Sequence, residues 1–436
     1  MANIVVLGTG MAGYGAAHRL SAEGIRPVAY DQSPHYGGHT ASFRDAAGFL
    51  FDLGPHISFT KVPRMQELFA GYVGNQYESV QINLNNYWRG HWVTHPVQLH
   101  LNALPRDLII EVMSDFVKAL QAPEGKISNY EEWLVASFGR KFAEVFPMTY
   151  GRKYHTTAAG NMSIDWLGPR IYRPSFEEML RGALAPWTPE LHYITHFRYP
   201  TEGGFIAYLS DLPRLADIQL EHQAVAIDPK EKTVRFKNGK TVGYTGLVSS
   251  VPLPDLLPMI QGAPQDVVDA SQRLACTTCV LVNVGVKRED LSKAQMSYFY
   301  DEDIRFARIS FPHMLAASNV PKGCGSIQCE VYFSKKYKPL TTSPEALIEP
   351  VIADLRKAGV LREDDEILTK HARVVRHANV IFDLERAEAL KTVHGYLDDI
   401  GVAYCGRYGD WGYMWTDESF MSGERAAETA LTRRRA

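Results

Sequence analysis

Three stretches of this sequence carry residue types at spacings that could do chemistry. The first is Gly8-Thr9-Gly10-Met11-Ala12-Gly13, which follows the apolar run Asn3–Leu7 and leads into a helical pattern at Tyr14, Ala16, Ala17 and Leu20. A second apolar run, Pro27–Tyr30, ends on Asp31-Gln32. Strand, glycine turn, helix, strand and acid in that order describe a dinucleotide-binding unit. Gly8 permits the tight turn, Gly10 lets backbone N–H groups approach a pyrophosphate, and Gly13 lets the helix pack on the strand. The helix N-terminus favours phosphate charge, and Asp31 accepts from ribose hydroxyls. The second stretch is Gly37-Gly38-His39 followed by Phe51-Asp52-Leu53-Gly54-Pro55-His56. Its paired glycines let the chain pass under a cofactor, and its stiff Gly-Pro turn presents an imidazole. The third stretch, Gly406–Tyr413, lies between the strand pattern Val402–Cys405 and a helix beginning near Asp417, whose N-terminus again faces partial negative charge.

The middle of the chain carries strand patterns as well. Leu220–Asp228 and Leu247–Leu253 supply strand patterns, with Asn238-Gly239 as a hairpin turn between two shorter ones. Residues 61–202 read as mainly helical, with a helix start at Asn129 followed by acids. With 436 residues, 45% of them hydrophobic, the chain has core for two or three domains. A net charge of −3 argues against a nucleic-acid partner bound by phosphate neutralisation. No apolar run reaches the ~18–20 residues of a membrane span, and no signal-peptide pattern precedes Asn3, so a cytoplasmic location is expected. Cys276 and Cys279 sit in a β-branched stretch without zinc spacing; reduced buried thiols and no metal are the expectation. No Ser–His–Asp set or carboxylate pair competes for the chemistry.

Gly37-Gly38-His39 with D-x-G-P-H resembles the FAD-dependent amine oxidase and protoporphyrinogen oxidase superfamily, and Gly54-Pro55-His56-Ile57 resembles the G-P-H-I segment of UDP-galactopyranose mutases. The resemblance implies an α/β fold: a Rossmann-like FAD-binding domain of the GR2 type with inserted helical and β-sheet substrate domains. The FAD domain would be discontinuous (1–60, 203–275 and 395–436), with a helical insertion at 61–202 and a β-rich substrate domain at 276–394. FAD would be held by Gly8, Gly10, Met11, Ala12, Gly13, Asp31, Gln32, Gly38, His39, Gly54, Pro55, His56, Val225, Gly406, Arg407, Tyr413, Met414, Asp417 and Ser419.

Further matches carry the substrate side. Tyr150 and Lys153 match a Y-x-x-K-x-W-G segment whose tryptophan falls on His155. Arg198 precedes a Pro200–Phe205 turn that resembles the family's arginine-then-glycine turn. Met296–Ile309, with Tyr298 and Arg308, resembles a stretch ending in T-R-I, and Tyr332 and Tyr337 follow where the family has a tyrosine near the diphosphate, Tyr337 being the better candidate. Tyr413 and Asp417 fall in register with the C-terminal motif. The resemblance implies a flavin-dependent nucleotide-sugar pyranose–furanose mutase, an isomerase without net redox change. The N5 of reduced FAD would be the nucleophile on the anomeric carbon, after reduction by an external donor such as NAD(P)H. His56, Arg308 and Arg198 would be catalytic. Tyr150, His155, Arg198, Tyr298, Arg308, Tyr337 and Tyr413 would meet a nucleotide-diphosphate sugar. A rigid guanidinium fork suits that diphosphate because it pairs two oxygens and keeps its charge. A homodimer and a place in cell-surface polysaccharide or natural-product biosynthesis are the corresponding expectations. The alternative is an FAD oxidase or desaturase, which shares the glycine motifs but needs an apolar cavity. Phe59 replaces the family's second histidine, and this with His155 leaves the base and sugar open.

Overall fold

The computed structural model describes residues 3–123, 125–168, 171–187 and 195–435. Five parallel strands form the first sheet, in the order Ala403–Tyr404, Gly246–Ser249, Ile4–Leu7, Val28–Tyr30, Asp217–Gln219. Ile4–Leu7 is central and buried throughout, which is why four aliphatic residues stand in a row. Ile4 and Val6 pack under the helices Met11–Ala22 and Thr416–Arg435, while Val5 and Leu7 face the core built around Ile227, Phe236 and Leu253. The two ends of the chain and its middle thus share one sheet. Thr233–Phe236 and Thr241–Gly243 pair around Asn238-Gly239 in a separate three-stranded antiparallel sheet.

The second large sheet has seven strands, ordered Ile367–Val375, Thr277–Val286, Gly325–Ser334, Arg308–Ser310, Met296–Phe299, Leu84–Trp88, His91–Thr94. One face is aliphatic: Val280, Val282, Val284, Ile327 and Val331 pack on Val351, Ile352 and Leu355 of the helix Ile348–Lys357. The other face carries a lateral row of cross-strand partners, Asn86, Tyr298, Arg308, Glu330, Leu281 and Arg373. Cross-strand partners share a face, so the row looks as a unit toward the parallel sheet.

Residues 61–202 are not purely helical. Helices such as Arg106–Gln121 and Tyr130–Phe138 are present, and the Asn129 side chain caps the latter by accepting from the Glu132 N–H at 3.0 Å. Four strands accompany them: Tyr77–Gln81, Leu84–Trp88, His91–Thr94 and His196–Pro200. Leu84–Trp88 forms a hairpin with His91–Thr94 and pairs in parallel with Met296–Phe299, so part of its order comes from a partner some two hundred residues away.

Candidate active site

A cavity of about 1270 Å³ lies between the carboxyl ends of the parallel strands and the polar row of the seven-stranded sheet. It exceeds the ~300–1,000 Å³ of an ordinary small-molecule site, leaving room for a dinucleotide and a second ligand. Gly8, Gly10, Met11, Ala12, Asp31, Gln32, Gly38, His39, Gly54, Pro55, His56, Val225, Gly406, Arg407, Tyr413, Met414 and Ser419 all line it. Gly13 lies one layer below: a Cβ there would stand 2.0 Å from the Gly8 carbonyl oxygen, so only glycine lets the helix start this close to the turn. Asp417 is buried in the first turn of the last helix and does not line the cavity, because Thr416 and Ser419 occupy that helix's inner face. Asp31 accepts from the Thr9 N–H (2.9 Å), the Thr9 hydroxyl (2.7 Å) and the Ser33 N–H (2.9 Å), which fixes its carboxylate at the lip of the turn. The cradle fits a dinucleotide such as FAD: glycines where a side chain would collide, a helix N-terminus, and a positioned acid beyond the second strand.

The far end of the cavity is strongly polarised. His56 Nδ1 lies 2.9 Å from the Gly54 carbonyl, which can only accept, so Nδ1 carries the proton and Nε2 is an acceptor. Burial, aided by the charges of Arg407 and Arg308, pushes the His56 pKa down to about 4; the ring is neutral at pH 7. Burial likewise takes His39 down to about 3. Arg407 is spent on the carbonyls of Met414 (Nε, 3.1 Å) and Ala378 (3.3 Å).

Arg308 is held by a carboxylate. Its Nε and Nη2 donate to Glu330 Oε2 and Oε1, both at 2.9 Å, and the Tyr332 hydroxyl donates to the same carboxylate. Glu330 is 2% exposed and Arg308 20%, so the pair is desolvated. The engagement is side-on and leaves Nη1 outside the pair. Tyr154 lies under the guanidinium, its ring centre 5.9 Å away, and Tyr298 is the cross-strand partner of Arg308 on the adjacent strand. Tyr150 stacks on Tyr154 at 5.5 Å and meets Tyr298 edge-on at 5.7 Å. The wall opposite His56 is therefore one oriented cation within a cup of phenols.

A family profile described as an NAD(P)-binding Rossmann-like domain matches residues 6–72. A crystal structure of reduced UDP-galactopyranose mutase superposes with a TM-score of 0.91 at 26% identity, covering 99% of this chain and 94% of that one. The chain has the fold of UDP-galactopyranose mutase. A protein of the protoporphyrinogen oxidase type from Exiguobacterium sp. 255-15 shares the wider fold (TM-score 0.76, 14% identity, 99% of each chain). Among curated sequences, the 15-cis-phytoene desaturase of Capsicum annuum is 27% identical over 169 residues, 38% of this chain and 26% of that protein. The match thus spans about a quarter of the desaturase's length. These relatives place the mutase fold within the amine oxidase and protoporphyrinogen oxidase superfamily.

Within that mutase fold, several expected substrate residues stand elsewhere. Arg198 does not line the cavity: its strand pairs with Tyr77–Gln81, and its guanidinium lies over the Tyr77 ring at 4.7 Å. Tyr337 is also displaced, because its hydroxyl donates to Asp383 at 2.6 Å beside Lys336. Tyr150 and Tyr298 form a layer behind Tyr154 and Arg308 rather than the cavity wall itself. Tyr332, the less favoured of the two tyrosine candidates in the sequence, lines the cavity, and so do Tyr154, Glu330, Arg373 and Arg376, which sequence reading passed over. The alternation that placed Arg308 inward also applies to Glu330 and Tyr332 in the neighbouring strand; the missing information was the register. The five cysteines are free thiols, and burial pushes Cys279, on the cavity wall, well up from its ordinary pKa.

His155 is 5% exposed and packed between Tyr154 (4.9 Å) and Trp166 (5.3 Å), behind the cavity rather than in it. Burial lowers its pKa to about 3. Since the unfolded ring titrates near 6.5, only the unfolded state gains a proton between those values, and stability falls as pH drops below 6.5. At pH 5 the loss is about 2 kcal/mol. His155→Phe is expected to shrink the stability difference between pH 7.5 and pH 5 by about that amount in urea titrations; an unchanged difference would show that the ring is not buried neutral.

Proposed function

We propose that this chain is a flavin-dependent nucleotide-sugar pyranose–furanose mutase, with FAD as cofactor and a nucleotide-diphosphate sugar as substrate. The observation that carries the reading is Arg308, fixed by Glu330 and ringed by Tyr154, Tyr298 and Tyr332, on the wall facing His56. When bound and reduced, by a donor such as NAD(P)H, the flavin would supply N5 as the nucleophile toward the anomeric carbon. The chain's own part is electrostatic and geometric. Arg308, through Nη1, takes charge developing on the departing diphosphate; its orientation is set beforehand, so no reorganisation is needed at that moment. Tyr413 and Tyr154, which line the cavity, offer neutral donors to the remaining phosphate and sugar oxygens. His56, neutral and accepting through Nε2, orients the ring-side partner without adding a competing charge.

The oxidase or desaturase alternative calls for an apolar cavity, and a buried ion pair with clustered phenols does not supply one. A cytoplasmic setting, a homodimer and a role in polysaccharide or natural-product biosynthesis belong to the same proposal. The test is anaerobic incubation of dithionite-reduced protein with UDP-, GDP- and TDP-sugars, followed by NMR. Isomeric sugar formed only by the reduced protein is expected. Steady peroxide release with a polyene or amine, and no isomer, would overturn the assignment.

A further inference from the structure

The free positive charge of the cavity is not at Arg308. That guanidinium is neutralised by Glu330, and Arg407, which also has no carboxylate within 4 Å among the described residues, is held by the Met414 and Ala378 carbonyls; two further arginines line the same cavity without such a carboxylate: Arg373, on the edge strand Ile367–Val375, and Arg376, just past its end. Both are exposed. Arg373 belongs to the same lateral row as Arg308, three strands along, which is about 14 Å at the usual strand spacing. Arg373 lies 4.1 Å over the ring of Phe43, and Phe43 meets His35 edge-on at 4.9 Å. Those two aromatics flank Gly37-Gly38, whose Gly37 N–H is bonded to the Thr9 carbonyl of the glycine turn at 3.0 Å. Beyond Arg376, its neighbour His377 reaches Asp255 at 3.4 Å, in the short helix Leu253–Leu256 that follows the Gly246–Ser249 strand. The end of the edge strand therefore spans the groove above the glycine turn.

We propose that Arg373 and Arg376 form a second, cationic wall of the cofactor site and bind the pyrophosphate of the dinucleotide from the side opposite the glycine turn. This rests on the FAD reading above. The glycine turn supplies only backbone dipoles, and Ser33 and His35 offer that side no fixed charge. Two guanidiniums match a pyrophosphate in geometry and charge, and both stand unpaired where it would emerge. The cofactor would then bridge the parallel sheet and the seven-stranded sheet.

The experiment strips the flavin and titrates the apoprotein by flavin fluorescence with FAD and with riboflavin, which lacks the pyrophosphate. For Arg373→Ala/Arg376→Ala, the Kd for FAD is expected to rise at least tenfold, while that for riboflavin stays within twofold of the parent. Arg373→Lys/Arg376→Lys should recover part of the loss, and the steep salt dependence of FAD binding in the parent should flatten in the alanine pair. An FAD Kd within twofold of the parent, or equal losses for FAD and riboflavin, would overturn the proposal. Unchanged FAD affinity with weakened NADPH or UDP binding would assign the arginines to a diffusible nucleotide and overturn it as well. A parent that binds neither flavin would instead sink the FAD reading itself.

Discussion

Arg308→Ala is expected to lower the unfolding free energy by about 3–5 kcal/mol, because it leaves Glu330 buried and unpaired. The same change should abolish binding of a nucleoside diphosphate to the reduced protein, measured by calorimetry. Stability and binding can be separated. Glu330 and Arg308 sit opposite each other in adjacent strands, so replacing both by methionine keeps the volume and removes both charges. The double variant is expected to regain most of the stability, since well-packed apolar replacements of buried pairs are often neutral or better. It should not regain binding. If the double variant bound nucleotide as the parent does, Arg308 would be structural and the cup of phenols alone would recognise the ligand. Glu330→Gln, which keeps the shape, should retain the fold but let the guanidinium turn, weakening turnover more than binding.

How far the site was legible depended on whether a signal was local. The glycine turn, the acid after the second strand and the Gly-Pro-His turn are local, because each needs residue types that few backbones tolerate elsewhere. They all line the cavity or stand directly under it. Arg308 was legible as an inward residue because strand alternation is local too. Glu330 and Arg373 were not, since their meeting depends on the register of four strands that pair over long sequence separations. Arg198 and Tyr337 show the converse. Each has a suitable residue type near a suitable turn, yet Tyr77 and Asp383, far away in sequence, hold the two side chains aside. The strand Leu84–Trp88 was hidden for a local reason: Asn85 and Asn86 spoil its apolar pattern, although the Asn86 side chain finds its partner in the Val93 carbonyl of the adjacent strand.

Gly15→Ala and Gly423→Ala test the joining of the chain's two ends and are expected to be the most disruptive small changes in the molecule. The helices Met11–Ala22 and Thr416–Arg435 cross with backbone against backbone. A Cβ at Gly15 would stand 1.9 Å from the Phe420 carbonyl oxygen, and one at Gly423 would stand 1.9 Å from that of Ala12. Neither contact can be relieved by turning a side chain, so the helices must separate. Overpacking of ordinary cores costs about 1–3 kcal/mol; against fixed backbone on both sides the cost should reach or exceed the top of that range. The geometry also makes a functional prediction. Ala12 lines the cavity at the start of one helix, and Ser419 lines it in the first turn of the other, so parting the helices parts the two halves of the cofactor cradle. Flavin retention after gel filtration should therefore fall in both variants, and fall further than stability alone explains. By contrast, Gly24→Ala, at the far end of the first helix with open space around its Cβ but a φ of +73°, should cost about 1 kcal/mol through backbone strain and leave the flavin in place. Equal flavin loss in all three variants would mean that the cradle responds to global stability, and the last helix would then have no special part in closing it.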